Sequence, residues 1–195
     1  YSESYIYEDK ATQRKVVFKF AKLLSEQACK VDGSANPEFY DVIYKLATLS
    51  HPCICPIEGY TVPTEKRIPI IISTFCKNGT LSDTAIRRLS QSKKWIIAIG
   101  VAAAIKYLHH QNIIDINMKL SNILLNENDH PFITDFGYQS LIKGNILPSQ
   151  NIGTILYKAP ECITKSSPVT EKSDIYSFGI ILYHLFSNKS AYNDR

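Results

Sequence analysis

Asn112-Ile113-Ile114-Asp115-Ile116-Asn117-Met118-Lys119-Leu120-Ser121-Asn122 and, a short way downstream, Phe132-Ile133-Thr134-Asp135-Phe136-Gly137 decide how this chain is read. Between them lie Ile123-Leu124-Leu125 and the polar turn Asn126 to His130, so two short apolar runs flank a turn, the pattern of a strand pair. Asp135 leaves the second strand, and Asn122, thirteen residues earlier, precedes the first together with Lys119. A carboxylate and an amide on adjacent strand ends can ligate one hard cation through oxygen, the ligand type magnesium prefers.

Outward from this pair the pattern is helical. Trp95 to Leu108 is apolar on nearly every face, which predicts a helix buried inside a larger core, and Ile175 to Phe186 has the same character. Tyr138 to Lys158 is long and weakly periodic, and a loop of that length without its own structure is usually functional or disordered. The beginning of the chain reads differently. Tyr5-Ile6-Tyr7 and Lys15 to Phe20 predict a hairpin around Glu8 to Arg14. Phe39, Val42, Ile43, Leu46 and Leu49 then recur at helical spacing until His51-Pro52 stops them. Ile54 to Thr61 and Ile68 to Phe75 are two further strand-like runs, so this part is an antiparallel sheet with one helix, a small α+β lobe.

Composition narrows the function classes. The 195 residues are 45% hydrophobic, 21% charged and 11% aromatic, enough apolar surface to offset the ordering entropy of one domain or two small lobes. The longest nearly unbroken apolar run, Trp95 to Ile105, is eleven residues against the roughly 20 that span a bilayer, so no membrane partner is expected. A net charge of +4 without a clustered basic stripe does not point to nucleic acid. Cys29, Cys53, Cys55, Cys76 and Cys162 are scattered, complete no zinc set and read as buried or half-buried free thiols. Tyr1-Ser2-Glu3-Ser4 carries no secretory pattern, so a reduced, cytoplasmic setting is expected. His109 and His110, at the end of an apolar helix, read as surface or capping histidines.

Asp135-Phe136-Gly137, Ala159-Pro160-Glu161 and Ser173-Asp174-Ile175-Tyr176-Ser177-Phe178-Gly179, in this order and at these separations, resemble a eukaryotic protein kinase domain of the Ser/Thr or tyrosine-kinase-like branch, from about Tyr5 to the end. The resemblance implies a two-lobed α+β fold, with a small lobe over 1–73, a helical lobe over 74–195 and an activation segment over 135–161. It also implies roles. Val16-Val17-Phe18-Lys19 matches the strand whose lysine holds the α and β phosphates of ATP. Ile6, Val17, Lys19, Ser73 at the gatekeeper place, Thr74, Phe75, Cys76 and Leu124 would enclose ATP, with Thr74-Phe75-Cys76 offering backbone groups to the adenine. Asn122 and Asp135 would hold magnesium, and Lys119 would serve the catalytic loop. Phe136 would pack under the small-lobe helix ahead of Gly137, and Asp174 would anchor the catalytic loop from below. Glu161 would pair with a residue beyond Arg195, so the domain is expected to be incomplete at its C-terminus and in its first strand, with an exposed apolar surface on its helical part.

The departures set the functional expectation. In the family form H-R-D-L-K-P-x-N the catalytic base is Asp, and here that place is Asn117, with Asp115 for the His and Ile116 for the Arg. An amide cannot take the substrate hydroxyl's proton as a carboxylate can, and general base assistance is worth about 10²–10⁴-fold. The helix Glu that pairs with the strand lysine falls on Val42, which predicts that Lys19 lacks its ion-pair partner, and Tyr1 and Ser4 stand at glycine places of the phosphate loop. The expected function is therefore that of a pseudokinase, a binding or regulatory module for a protein partner with weak or no Mg-ATP phosphotransfer. The alternative is an active Ser/Thr protein kinase acting on protein hydroxyls.

Overall fold

The computed structural model describes residues 3–20, 37–61, 69–114, 116–136, 155–164 and 169–192. They fall into two compact units, one over 1–50 and 55–75, the other built mainly from 76 onward and including His51–Ile54.

In the first unit, β1 (Glu3–Glu8) and β2 (Lys15–Phe20) pair antiparallel in the register Tyr5↔Phe18 and Ile6↔Val17. The Asp9 carboxylate closes their turn by accepting the Ala11 N–H at 2.8 Å. Helix α1 (Pro37–Ala47) follows and buries Ile43 and Leu46, the inward pair of its apolar periodicity. β3 (Ile57–Tyr60) and β4 (Ile70–Thr74) complete a sheet in the order β1-β2-β4-β3, antiparallel throughout. Strand alternation divides the residues of β1 and β2 between two faces. Tyr5, Tyr7, Phe18 and Phe20 share one of them, with Tyr7 stacked on Phe18 at 5.3 Å and Tyr5 edge-on to Phe20 at 5.6 Å.

The strand expected over Ile54 to Thr61 begins only at Ile57. His51–Ile54 belongs instead to the second unit, because Ile54 bridges Ile133 and the Cys53 carbonyl accepts the Ile133 N–H at 2.9 Å. The division between units likewise falls after Phe75, not at the 73/74 boundary read from the resemblance.

The second unit contains α2 (Asp83–Arg88), α3 (Gln91–His110), a 3₁₀ turn (Leu120–Asn122), the pair β5 (Ile123–Leu125) and β6 (Pro131–Ile133), α4 (Pro160–Thr164) and α5 (Glu171–Ser187). Ser82 and Ser90 cap α2 and α3, and Thr170 with Ser173 forms a capping box on α5. Trp95 meets Phe186 at 4.7 Å at one end of the α3/α5 pair and His109 meets Asp174 at the other, so the two helices run antiparallel.

Their all-round apolar character predicts burial on every side, but among the described residues neither helix is fully covered. Ile97, Val101, Ala104, Ile105 and Leu108 of α3 are buried, while Trp95, Ile96 and Ile99 are exposed, Ile99 to 67%. Ile181 and Leu185 of α5 are buried, while Ile175 and Tyr183 are exposed. Uniform hydrophobicity marks a helix as core-forming but leaves open which face the described residues cover. No described helix is long and apolar enough to cross a membrane.

Two glycines in these helices make a paired test. A Cβ on Gly100 would lie 2.8 Å from Pro131 Cγ and 2.9 Å from Cys53 Sγ, whereas one on Gly179 would meet nothing within 4 Å. Replacing a helical Gly by Ala gains about 1 kcal/mol of propensity, and overpacking a core costs about 1–3 kcal/mol. Gly179→Ala is therefore expected to raise the stability by about 1 kcal/mol and Gly100→Ala to lower it by about the same amount, read from chemical denaturation midpoints. Equal signs for the two would contradict this packing.

Candidate functional site

Asp174 lies in the first turn of α5 and is 3% exposed, buried on the same helix as Ser173, Ser177 and His184. Both carboxylate oxygens are committed. Oδ1 accepts the backbone N–H of Ile116 at 2.8 Å, and Oδ2 lies 2.9 Å from His109 Nε2 at the end of α3. A carboxylate offers only acceptors, so Nε2 carries the hydrogen. Glu171 adds a second carboxylate 4.0 Å from His109 Nδ1. The surface or capping role read for His109 is thus corrected. Its side chain is 10% exposed and holds the same carboxylate that holds the loop. An acid and a histidine at the ends of two largely apolar runs can satisfy each other when both are buried, and that is the signal that could have paired them.

From Ile116 the segment runs through Asn117, whose φ of 56° is left-handed. Asn is one of the few side chains enriched there. Its carbonyl accepts a hydrogen bond from Asn122 Nδ2 at 2.9 Å, and the Asn122 carbonyl accepts the Thr134 N–H at 2.9 Å. With Nδ2 so used, Oδ1 of the buried Asn122 is the atom available to a cation. Asp135 follows at φ 62°, with Thr134 Oγ1 donating to its Oδ1 at 3.4 Å, and Phe136 is 3% exposed. Lys119, half-buried, immediately precedes the 3₁₀ turn. An amide oxygen plus a carboxylate are hard donors of the kind Mg²⁺ takes alongside waters and phosphate oxygens, so the donor set fits that ion.

Asp115 and Gly137 lie outside the described residues, as does most of the activation segment read over 135–161. At the end of that segment, Glu161 Oε1 accepts the Ser173 hydroxyl at 3.0 Å, and the Tyr157 carbonyl accepts the Ser177 hydroxyl at 2.6 Å. Sequence reasoning missed both seryl ties. Burial pushes the Tyr157 phenol above its ordinary value, so it stays protonated at neutral pH.

The nucleotide-binding candidates fall on both units. In the first, Ile6, Val17 and Ser73 form one cross-strand row, and Lys19 faces Ser4 and Ile71 two positions along. Val42 of α1 is half-buried and Asp41 is exposed, and Lys19 is not without an interaction. The Thr74 N–H is used by Pro56 O at 3.2 Å and its carbonyl accepts from Cys55 Sγ at 3.8 Å, which leaves that oxygen a second lone pair for a base edge. Phe75 ends this unit half-buried. In the second unit Cys76 is buried and its carbonyl accepts the Gly79 N–H at 3.1 Å. Leu124, half-buried on β5, bridges Thr80.

Comparison with known proteins gives a consistent picture. The family model described as "Protein kinase domain" matches residues 1–195. The chain is 33% identical over 169 residues to Receptor-like kinase LIP1 of Arabidopsis thaliana, covering 80% of this chain and 26% of that protein. It is 36% identical over 165 residues to Pelle-like serine/threonine-protein kinase pik-1 of Caenorhabditis elegans, covering 76% of this chain and 33% of that protein. The chain thus spans about a quarter to a third of the length of these two relatives.

The Asp174 contacts predict a graded mutational series. Asp174→Ala leaves the Ile116 amide and His109 buried without their acceptor and is expected to cost about 3 kcal/mol. Asp174→Asn, which keeps one oxygen for Ile116, is expected to cost less than half of that. Urea unfolding followed by far-ultraviolet circular dichroism measures both, and equal losses would contradict the shared-carboxylate geometry.

Proposed function

Because the chain belongs to the protein kinase domain family, we propose that it acts as a pseudokinase, a module that engages a protein partner and transfers phosphate weakly or not at all. The observation that carries this reading is Asn117. The family's base carboxylate is here a neutral amide, and its side chain has no pair of electrons basic enough to take a proton from an attacking hydroxyl. Loss of general base assistance costs about 10²–10⁴-fold in rate, or about 3–5 kcal/mol of barrier.

The remaining residues divide into those that support binding and those that hinder it. When bound, Mg-ATP supplies the transferable γ-phosphoryl group. Asn122 and Asp135 would hold the ion through Oδ1 and a carboxylate oxygen, and Lys19 would neutralise phosphate charge. Ile6, Val17, Leu124 and the 73–76 segment would surround the base. Val17 adds bulk at a place where the family carries Ala, and Ser4 adds a side chain where a glycine would let phosphate approach. Binding is therefore weak in this reading. The thiols at Cys53, Cys55, Cys76 and Cys162 suit a reducing, cytoplasmic setting.

The relatives named as serine/threonine-protein kinases favour the second reading, an active enzyme, since phosphoryl transfer relies mainly on positioning and electrostatics. A γ-phosphate transfer assay at saturating Mg-ATP separates the two. The expected outcome is turnover indistinguishable from that of Lys19→Ala and Asp135→Ala. Turnover that vanishes in both variants would establish the enzyme instead. Asn117→Asp requires no backbone change, because Asp also tolerates the left-handed region. It is expected to restore activity only in part, since Ile116, Val42 and Ser4 stay altered. Full restoration would place the whole defect at Asn117.

A further inference from the structure

The segment His51–Ile54 connects α1 to β3, both in the first unit, yet it packs as part of the second. Several ties to that unit hold it among the described residues. The Cys53 carbonyl accepts the Ile133 N–H, Ile54 bridges Ile133, and the His51 ring stacks on Tyr107 of α3 with centroids 5.2 Å apart. From the β5–β6 turn, His130 Nε2 reaches the Pro52 carbonyl at 3.2 Å and Cys53 Sγ at 3.3 Å. Two bonds hold the segment's own shape, the first from the Ile54 N–H to the His51 carbonyl at 3.1 Å. In the second, the Cys53 N–H donates to His51 Nδ1 at 3.1 Å.

That last bond fixes the state of the imidazole. A ring nitrogen that accepts a hydrogen bond carries no proton, so His51 is neutral with its hydrogen on Nε2. Protonation at Nδ1 would set two N–H groups against each other and leave the Cys53 amide, in a buried residue, without its acceptor. We propose that His51 is a proton-operated clasp on the 51–54 turn, holding the Cys53 amide when neutral and releasing it when charged.

The surroundings disfavour the charged form. Among the described residues, the titratable groups that face His51 are Tyr107 from α3, His130 from the β5–β6 turn and Cys53 on its own segment, and none of these is a carboxylate. Burial, with the nearby His130 adding to it, holds the His51 imidazole below its ordinary value of 6.5. A histidine depressed in the folded state contributes stability that is complete above its unfolded value. That stability is lost as pH falls from about 6.5 toward the lower folded value. The clasp is therefore shut at neutral pH and opens on acidification. Pro52 O and Cys53 Sγ stay within reach of His130, so release is local.

Histidine titration and amide hydrogen exchange by NMR on the 195-residue chain, from pH 7.5 to 5.0, test this. His51 is expected to show the Nε2–H tautomer at pH 7.5 and to titrate below 6.5. The Cys53 amide is expected to lose about tenfold or more of its protection, after correction for intrinsic exchange, as His51 becomes charged. His51→Gln, whose amide oxygen can accept the same bond without titrating, is expected to abolish that pH dependence. Three results would each overturn the proposal: an Nδ1–H tautomer, titration at or above 6.5, or the same acid loss of protection in His51→Gln. The first two are read on the unaltered chain, so they decide the matter even if His51→Gln fails to fold.

Discussion

One buried carboxylate organises the helical unit. Removing a charge from water is costly unless its atoms find donors, and each oxygen of Asp174 has one, the Ile116 amide on Oδ1 and His109 on Oδ2. The consequence extends well past its own contacts. Fixing Ile116 fixes where Asn117 turns, the Asn117 carbonyl then receives the Asn122 side chain, and the Asn122 carbonyl receives the Thr134 amide ahead of Asp135. A relay of three hydrogen bonds thus runs from the interior of α5 to the two oxygen donors suited to a cation. It also explains why Ile116 can stand where the family has an arginine. What the relay needs from that position is a backbone N–H, and the fully buried isoleucine side chain adds apolar packing around it.

The same relay shows why architecture and chemistry can part company at Asn117. The contact that Asn117 makes to Asn122 goes through its backbone carbonyl, and its left-handed φ is open to Asn and Asp alike. The catalytic function, in contrast, would rest entirely on the side chain. Exchanging carboxylate for amide therefore removes a base while leaving the loop's geometry intact, and the retained Asn122 and Asp135 follow from that geometry. Under the proposed reading, keeping the residues that would hold the ion is weak support for activity, whereas the amide at 117 bears directly on it.

What the sequence made legible was local. The hairpin, α1 and the β5–β6 pair stand where alternation, helical spacing and a polar turn put them, because each is specified by residues a few positions apart. What it hid was non-local. Ile54 continues the apolar run of β3 but pairs with Ile133, and no periodicity distinguishes the two fates. The covered face of α3 could not be chosen from Trp95 to Leu108, since Ile97 and Ile99 are chemically alike and differ only in what lies opposite. The nucleotide and metal candidates became visible through spacing of whole motifs. Ser173 and Ser177 stayed hidden, because a serine's role is set by which carbonyl or carboxylate the fold brings within 3 Å.

His109 and His51 show how far this dependence reaches, since residue type is the same and function opposite. His109 stands against Asp174 and Glu171, groups that can only accept, so its ring donates, and an added proton would leave that bond in place. His51 stands beside a backbone N–H that can only donate, with a second imidazole and an aromatic ring as neighbours, so its ring accepts and an added proton destroys the bond. A histidine that donates is a structural element across the ordinary pH range, and one that accepts is sensitive to acid by construction. The distinction depends on the polarity of the partner, which the chain supplies from far away in the first case and from two residues on in the second. For His51 the partner was therefore within local reach. A histidine followed by proline forces the turn that brings the amide of the second residue on, Cys53, back to its own ring.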